Sequence, residues 1–186
     1  MSPATERRCA DGIAAGWGLA EATVFFFVPD VWLSWLALRA PRHAFRACLW
    51  ATAGAVAGGA AMISFGGAEP ATAEALLDAV PGIGPGLVTE VRRELANHGF
   101  LALFLGPLRG VPYKIYAAEA GVLGLSPVAL LAWTVPARLL RFLAVTAFAA
   151  VVAALPPLRR RPRLARVLHL LAWSAFYAFY FWTMGV

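Results

Sequence analysis

Long apolar runs alternate with short polar interruptions along this chain, and run length sets the first expectations. Residues 44–66 are apolar and small, through Ala47, Ala51, Gly54, Ala55, Gly58 and Gly59. As a helix this segment reaches about 34 Å, enough to cross a ~30 Å hydrocarbon core. Small residues three and four apart let a second helix approach closely, and helix packing alone accounts for them. Residues 127–154 form a second span and residues 167–185 a last one. The end of that last run carries Phe176, Tyr177, Tyr180 and Trp182, the composition of an aromatic belt at a membrane interface.

Two further apolar runs are of membrane length but interrupted. Residues 13–38 contain Pro29-Asp30, and residues 99–125 contain Gly106-Pro107-Leu108-Arg109-Gly110-Val111-Pro112-Tyr113-Lys114. Proline removes a backbone donor and clashes with the preceding turn. Non-helical backbone at membrane depth persists only where protein or trapped water satisfies it. Split in the middle, each run gives half-helices of about 12 residues and roughly 18 Å, too short to cross alone. Each is therefore expected to be a re-entrant hairpin that enters and leaves on one side, broken at Pro29 and at Pro112. Between them, residues 67–98 are acidic and cut by Pro81-Gly82-Ile83-Gly84-Pro85-Gly86. They read as two short amphipathic helices at an interface, the second capped by Gly99.

Composition agrees with a lipid-bathed body. Of 186 residues, 61% are hydrophobic and only 14% charged, against about one-quarter charged in soluble domains. The formal charge of +6 resembles a nucleic-acid signal, but the arginines sit beside apolar runs, at Arg7–Arg8, Arg39–Arg46 and Arg159–Arg166. That is the positive-inside pattern of short cytoplasmic loops, so no nucleic-acid partner is expected. Cys9 and Cys48 make neither a disulfide framework nor a metal spacing. Cys48 reads as a small apolar filler. His43, His98 and His169 are scattered and read as loop or interface residues, so neither metal nor cofactor is expected. The run after Arg7-Arg8 is short, Gly-rich and interrupted by Glu21, which suits a retained N-terminus better than a cleaved signal.

With both arginine-rich loops in the cytoplasm, the first hairpin dips in from that side. Residues 44–66 then cross outward and leave 67–98 outside. The second hairpin dips in from outside, 127–154 crosses inward, and 167–185 crosses out again. The expected fold is an all-α integral membrane protein of one domain, 1–186. Its two opposed re-entrant hairpins form an inverted repeat, as in many transporters, with about three transmembrane helices and interfacial amphipathic helices. Charges inside such a fold cannot face lipid, since each central Arg or Lys costs about 2.5–3.5 kcal/mol. Arg138 and Arg141, three apart, share one helix face. Arg109, Lys114, Arg138 and Arg141 are therefore expected to bind substrate in one hydrated cavity. Glu21, Asp30 and Glu119 are their charge partners or proton-coupling groups. Glu21 is the weakest member, near enough an interface for a carboxylate to be ordinary, and Glu119 stands close enough to neutralise Lys114. Buried ion pairs that merely fix helix register are the competing reading.

These residues carry a resemblance. The segment Glu21-Ala-Thr-Val-Phe-Phe-Phe-Val-Pro29-Asp30-Val31 is followed by a basic loop and the Gly-rich helix from Gly54 to Gly67. Then come Pro112-Tyr113-Lys114-Ile-Tyr-Ala-Ala-Glu-Ala-Gly121 and Arg138-Leu-Leu-Arg141-Phe142. Over about residues 15–150 this order is similar to the DedA superfamily of SNARE-associated or VTT-domain membrane proteins, closest to its YqaA-like branch. The resemblance implies opposed re-entrant hairpins, movement of undecaprenyl phosphate or phospholipid, and a link to the proton-motive force. The expected function is a lipid flippase or scramblase, with membrane lipid as partner and a bacterial inner membrane as location. Self-association is left open. The rivals are a proton-coupled transporter of a small soluble ion and a non-transporting assembly factor. A lipid phosphatase is not expected, because no nucleophile, base and orienting group occur together.

Overall fold

The protein is described over residues 3–184 in a computed structural model. Every regular element among the described residues is helical. The helices are α1 (Pro3–Thr23), α2 (Asp30–Ala37), α3 (Pro41–Ala68), α4 (Pro70–Asp78), α5 (Pro85–His98), α6 (Ala102–Leu105), α7 (Tyr113–Val122), α8 (Pro127–Ala154), α9 (Pro156–Arg159) and α10 (Pro162–Met184). Short 3-10 turns at Gly99–Leu101 and Gly106–Arg109 flank α6. Helices α3, α8 and α10 are long and apolar enough to cross a membrane.

Helix α3 is the spine. Asp11 pairs with Arg46, a Cβ on Gly18 would strike the Ala51 carbonyl, and one on Gly58 would meet Ala22. The contacts advance together along both helices, so α1 and α3 run parallel. The same holds for α7, where Tyr113 lies on Gly59, Ala118 on Gly66 and Gly121 on Gly67. Helix α1 therefore ends, and α7 begins, at the level of Gly58–Gly59, and the two lie end to end along α3. Helix α8 runs the other way: Thr146 meets Cys48, whereas Thr134 binds the Tyr113 hydroxyl beside Gly59. Glycine along this spine removes the Cβ atoms that would hold backbones apart.

The two interrupted runs are broken where proline placed the breaks. In the first, the chain leaves α1 after Thr23, and Pro29 precedes α2. The Trp17 indole N–H donates to the Phe27 carbonyl at 2.8 Å, and that of Trp32 to the Ala10 carbonyl at 3.4 Å. Later residues thus meet earlier ones, and α2 returns alongside α1. The second break spans Gly106 to Pro112. It turns at Gly110, whose φ of +83° disfavours a side chain, and Pro112 fixes an extended residue ahead of α7.

Several boundaries differ from the sequence reading. Helix α1 starts at Pro3, ten residues before the apolar run, because Pro3 and the first-turn Glu6 suit a helix start. The arms of the breaks are unequal: 21 and 8 residues around the first, 4 and 10 in α6 and α7 around the second. They are not paired half-helices of similar length. The arginine-rich stretch 156–166 is mostly helical, since Pro156 and Pro162 each open a helix. The acidic stretch does split into two helices, and Gly99, at φ +55°, caps α5 by donating to the Leu95 carbonyl.

Candidate functional site

The deepest charges gather where the two breaks meet. Glu21, in the last turn of α1, pairs with Arg138 of α8, and both side chains are almost wholly buried. The guanidinium of Arg138 also lies over the rings of Tyr113 and Phe142, 5.1 and 5.0 Å from their centroids, so cation–π contact adds to the ion pair. One turn along α8, Arg141 donates to Asp30 at 3.0 Å. Asp30 is buried at the start of α2, whereas the Arg141 side chain keeps 25% of its exposure. Lys114, in the first turn of α7, is 1% exposed. Its Nζ donates to the Phe25 carbonyl at 2.7 Å, and it makes no salt bridge among the described residues.

Side chains also satisfy the backbone freed by the first break. Phe25 accepts from Lys114, Phe27 from Trp17, and the Val28 N–H donates to the Tyr177 hydroxyl at 3.0 Å. This arrangement lets irregular backbone persist away from water. Between the breaks lies a cavity of about 80 Å³, lined by Glu21, Lys114, Arg141, Phe26, Val28, Gly110–Pro112 and the α10 aromatics Phe176, Tyr177 and Tyr180. Its charged neighbourhood comprises Lys114, Arg138 and Arg141 against Glu21 and Asp30, one net positive charge. Among the described residues, Arg138 Nε and Nη1, Asp30 Oδ1 and the Tyr180 hydroxyl are buried without a hydrogen-bond partner, which leaves donors and acceptors in reserve around the cavity.

The seven sequence-selected charges thus form two groups rather than one. Glu21, Asp30, Lys114, Arg138 and Arg141 come together, between Pro29 and Pro112. Arg109 and Glu119 do not join them. Arg109 pairs with Glu94 of α5. Glu119 does not neutralise Lys114: it points from α7 to Arg92 of α5, which donates to it at 2.6 Å and to Glu74 of α4 at 2.5 Å. These bonds, to Glu119 first and then Glu74, hold the Arg92 guanidinium above its ordinary proton affinity. The tie fastens α4 and α5 onto α7. The signal was their spacing: five residues apart on one helix, Lys114 and Glu119 point about 140° from each other and so face different neighbours.

Glu21 is not an exposed carboxylate but a buried ion-pair member. His169 is not a simple interface residue either: it bonds to Ser34 Oγ at 2.8 Å and packs on Trp35. Of the predicted aromatic belt, Trp182 is exposed, but Tyr177 and Tyr180 pack at a tilt against Phe26 over the cavity. The sequence reading missed this role of α10. Its signal was the three-to-four-residue spacing of Trp173, Tyr177 and Tyr180, which puts them on one face. No protein-family model, no curated protein and no solved structure matches the chain.

Proposed function

We propose that the protein is a membrane lipid transporter, a flippase or scramblase, which passes the phosphate of a lipid through the pocket between the two breaks while the tails stay in the bilayer. The observation that carries this is the placement of Lys114 and Arg141 on one cavity, with a net positive charge, halfway along the long antiparallel helices α3 and α8. Such ionisable groups inside a membrane segment are costly and mark a pathway by default. Lys114 has no carboxylate partner among the described residues, and an anionic oxygen would satisfy it. Arg141, partly exposed, can add the paired donors that suit a phosphate. Arg138, locked under two rings and Glu21, holds the frame.

The breaks then act as two re-entrant hairpins of an inverted repeat. In each half a short return arm (α2 or α7) runs parallel to the long helix of the other half (α8 or α3), the exchange expected of units related by a two-fold axis in the membrane plane. With the motif resemblance, this supports placing the chain in the DedA superfamily, in a bacterial inner membrane with the arginine-rich end cytoplasmic. Protonation of Asp30 would release Arg141 for the lipid and so link movement to the proton gradient.

The test is movement of a labelled polyprenyl phosphate or phospholipid between leaflets of reconstituted liposomes. Loss of a charge-assisted hydrogen bond of ~1.5–3 kcal/mol slows a step by about tenfold or more, so Arg141→Ala and Lys114→Ala are expected to be slower by at least that much. Flux of small ions should stay at background. Normally inserted Arg141→Ala protein that moves lipid at the wild-type rate would rule the mechanism out.

A further inference from the structure

A second basic site lies far from the central pocket. The first turn of α3, the loop before it and the start of α1 enclose an open cleft of about 440 Å³, lined by Arg7, Ala40, Pro41, Arg42, His43 and Arg46. Three guanidinium groups from two elements converge on it. The carboxylate beside them, Asp11, is taken by Arg46. His43 contributes a buried Nε2 that has no hydrogen-bond partner among the described residues. No side chain among the described residues caps the start of α3; Pro41 carries no N–H and the His43 and Ala44 N–H groups donate to the Ala40 carbonyl, so the helix start adds at most the Arg42 N–H to the cleft.

What lies beneath the cleft indicates what fills it. Arg42, Phe45, Arg46, Leu49 and Trp50 follow the i, i+3, i+4, i+7, i+8 pattern of one helix stripe. Phe45, Leu49 and Trp50 are 37%, 56% and 48% exposed. One outward stripe of α3 therefore changes within two turns from cationic to bare apolar surface, along a helix able to cross a membrane. A soluble anion would use the first part alone. An anionic lipid, with its phosphate among the arginines and its chains along Phe45, Leu49 and Trp50, uses both.

We propose that this cleft holds the phosphate headgroup of an anionic lipid as a bound, non-transported ligand. Arg42 is about 20 Å along α3 from the level of Arg138 at the usual rise, so this site is separate from the central pocket and does not depend on the transport reading.

The experiment is native mass spectrometry of the whole protein in detergent, titrated with phosphatidylglycerol, with phosphatidylcholine as the neutral probe. One phosphatidylglycerol is expected to remain bound under conditions that strip phosphatidylcholine. Arg42 is exposed and makes no ion pair among the described residues, so Arg42→Ala should leave the fold intact while weakening retention about tenfold, the scale of one charge-assisted hydrogen bond. Arg160→Ala, an equal charge loss outside the cleft, should not alter it. Trp50→Ala should weaken phosphatidylglycerol without changing any effect of inorganic phosphate. Equal losses in Arg42→Ala and Arg160→Ala would reduce the site to general surface charge and overturn the proposal. Displacement of phosphatidylglycerol by inorganic phosphate, with Trp50→Ala silent, would make it a site for a free anion instead.

Discussion

At the residue scale, buried charge divides into groups that hold the fold and groups that can be addressed. Arg138 illustrates the first kind. Removing one partner of a buried pair strands the other, at a cost of about 3–5 kcal/mol, whereas replacing both by apolar residues of similar size is often near neutral. Glu21→Ala is therefore expected to lower thermal stability in detergent sharply, and Glu21→Leu with Arg138→Met to recover most of it, read as the unfolding midpoint by circular dichroism. Recovery of fold without recovery of lipid movement would separate the structural pair from the transport chemistry. Full recovery of both would favour a pocket that needs only Lys114 and Arg141. Glu119 follows the same rule outside the central pocket. Its side chain is wholly buried and Arg92 is 40% exposed, so Arg92→Ala leaves a buried carboxylate short of its donors. The expected loss is about 1–3 kcal/mol, with only part restored by Arg92→Lys, whose ammonium cannot span Glu119 and Glu74 in the same fork. Because these bonds raise the Arg92 proton affinity, the guanidinium stays charged and the tie is intact at neutral pH.

At the element scale, contact between backbones explains why the helices lie where they do. Gly18 and Gly54 seat α1 on α3, and Gly66 and Gly121 seat α7 on it. A Cβ at Gly54 would collide with the Ala15 carbonyl, an atom that cannot swing aside, whereas one at Gly67 would find its nearest neighbour at 3.4 Å. Overfilling a packed contact costs about 1–3 kcal/mol. Gly54→Ala is thus expected to lower the unfolding midpoint and Gly67→Ala to leave it nearly unchanged. Equal midpoints would mean that α1 and α3 slide apart without cost. Helix α10 is attached differently, by Ser34 to His169 and Trp173, by Val28 to Tyr177, and by rings around Phe26. These polar and aromatic contacts leave most of its surface exposed, which suits the wall of a pocket more than the centre of a bundle.

At the scale of the whole molecule, charge is sorted end to end. Arg7 and Arg8, Arg39, Arg42 and Arg46, and the run from Arg159 to Arg166 gather at one end of the antiparallel pair α3 and α8, where Ala44 packs with Ala149. Helices α4 and α5, which belong to the net acidic stretch 67–98, follow the other end of α3. Such a molecule has one orientation that suits the positive-inside bias. Cys9 is exposed at the arginine-rich end and Cys48 is buried, so a membrane-impermeant thiol reagent applied outside intact cells should leave the native protein unlabelled and should label Thr72→Cys on α4. Labelling of Cys9 from outside would invert the proposed topology.

The sequence alone was enough for the helical, membrane-suited character, for the start and end of α8, for the split of the acidic stretch and for the positions of both breaks. Each of these follows from local physics: an apolar run long enough to cross, a proline without a donor, a glycine able to take positive φ. It also singled out Lys114, Arg138 and Arg141, because charge in an apolar run is conspicuous in one dimension. Which charge meets which was decided only in three dimensions. Glu119 and Lys114 are neighbours in sequence yet turn to α5 and to the first break, while Glu21 and Arg138, 117 residues apart, share one bond. A helix presents its side chains around the full circle, so partnership depends on the neighbour on each face, and that is set by how α1, α7, α8 and α10 pack around α3.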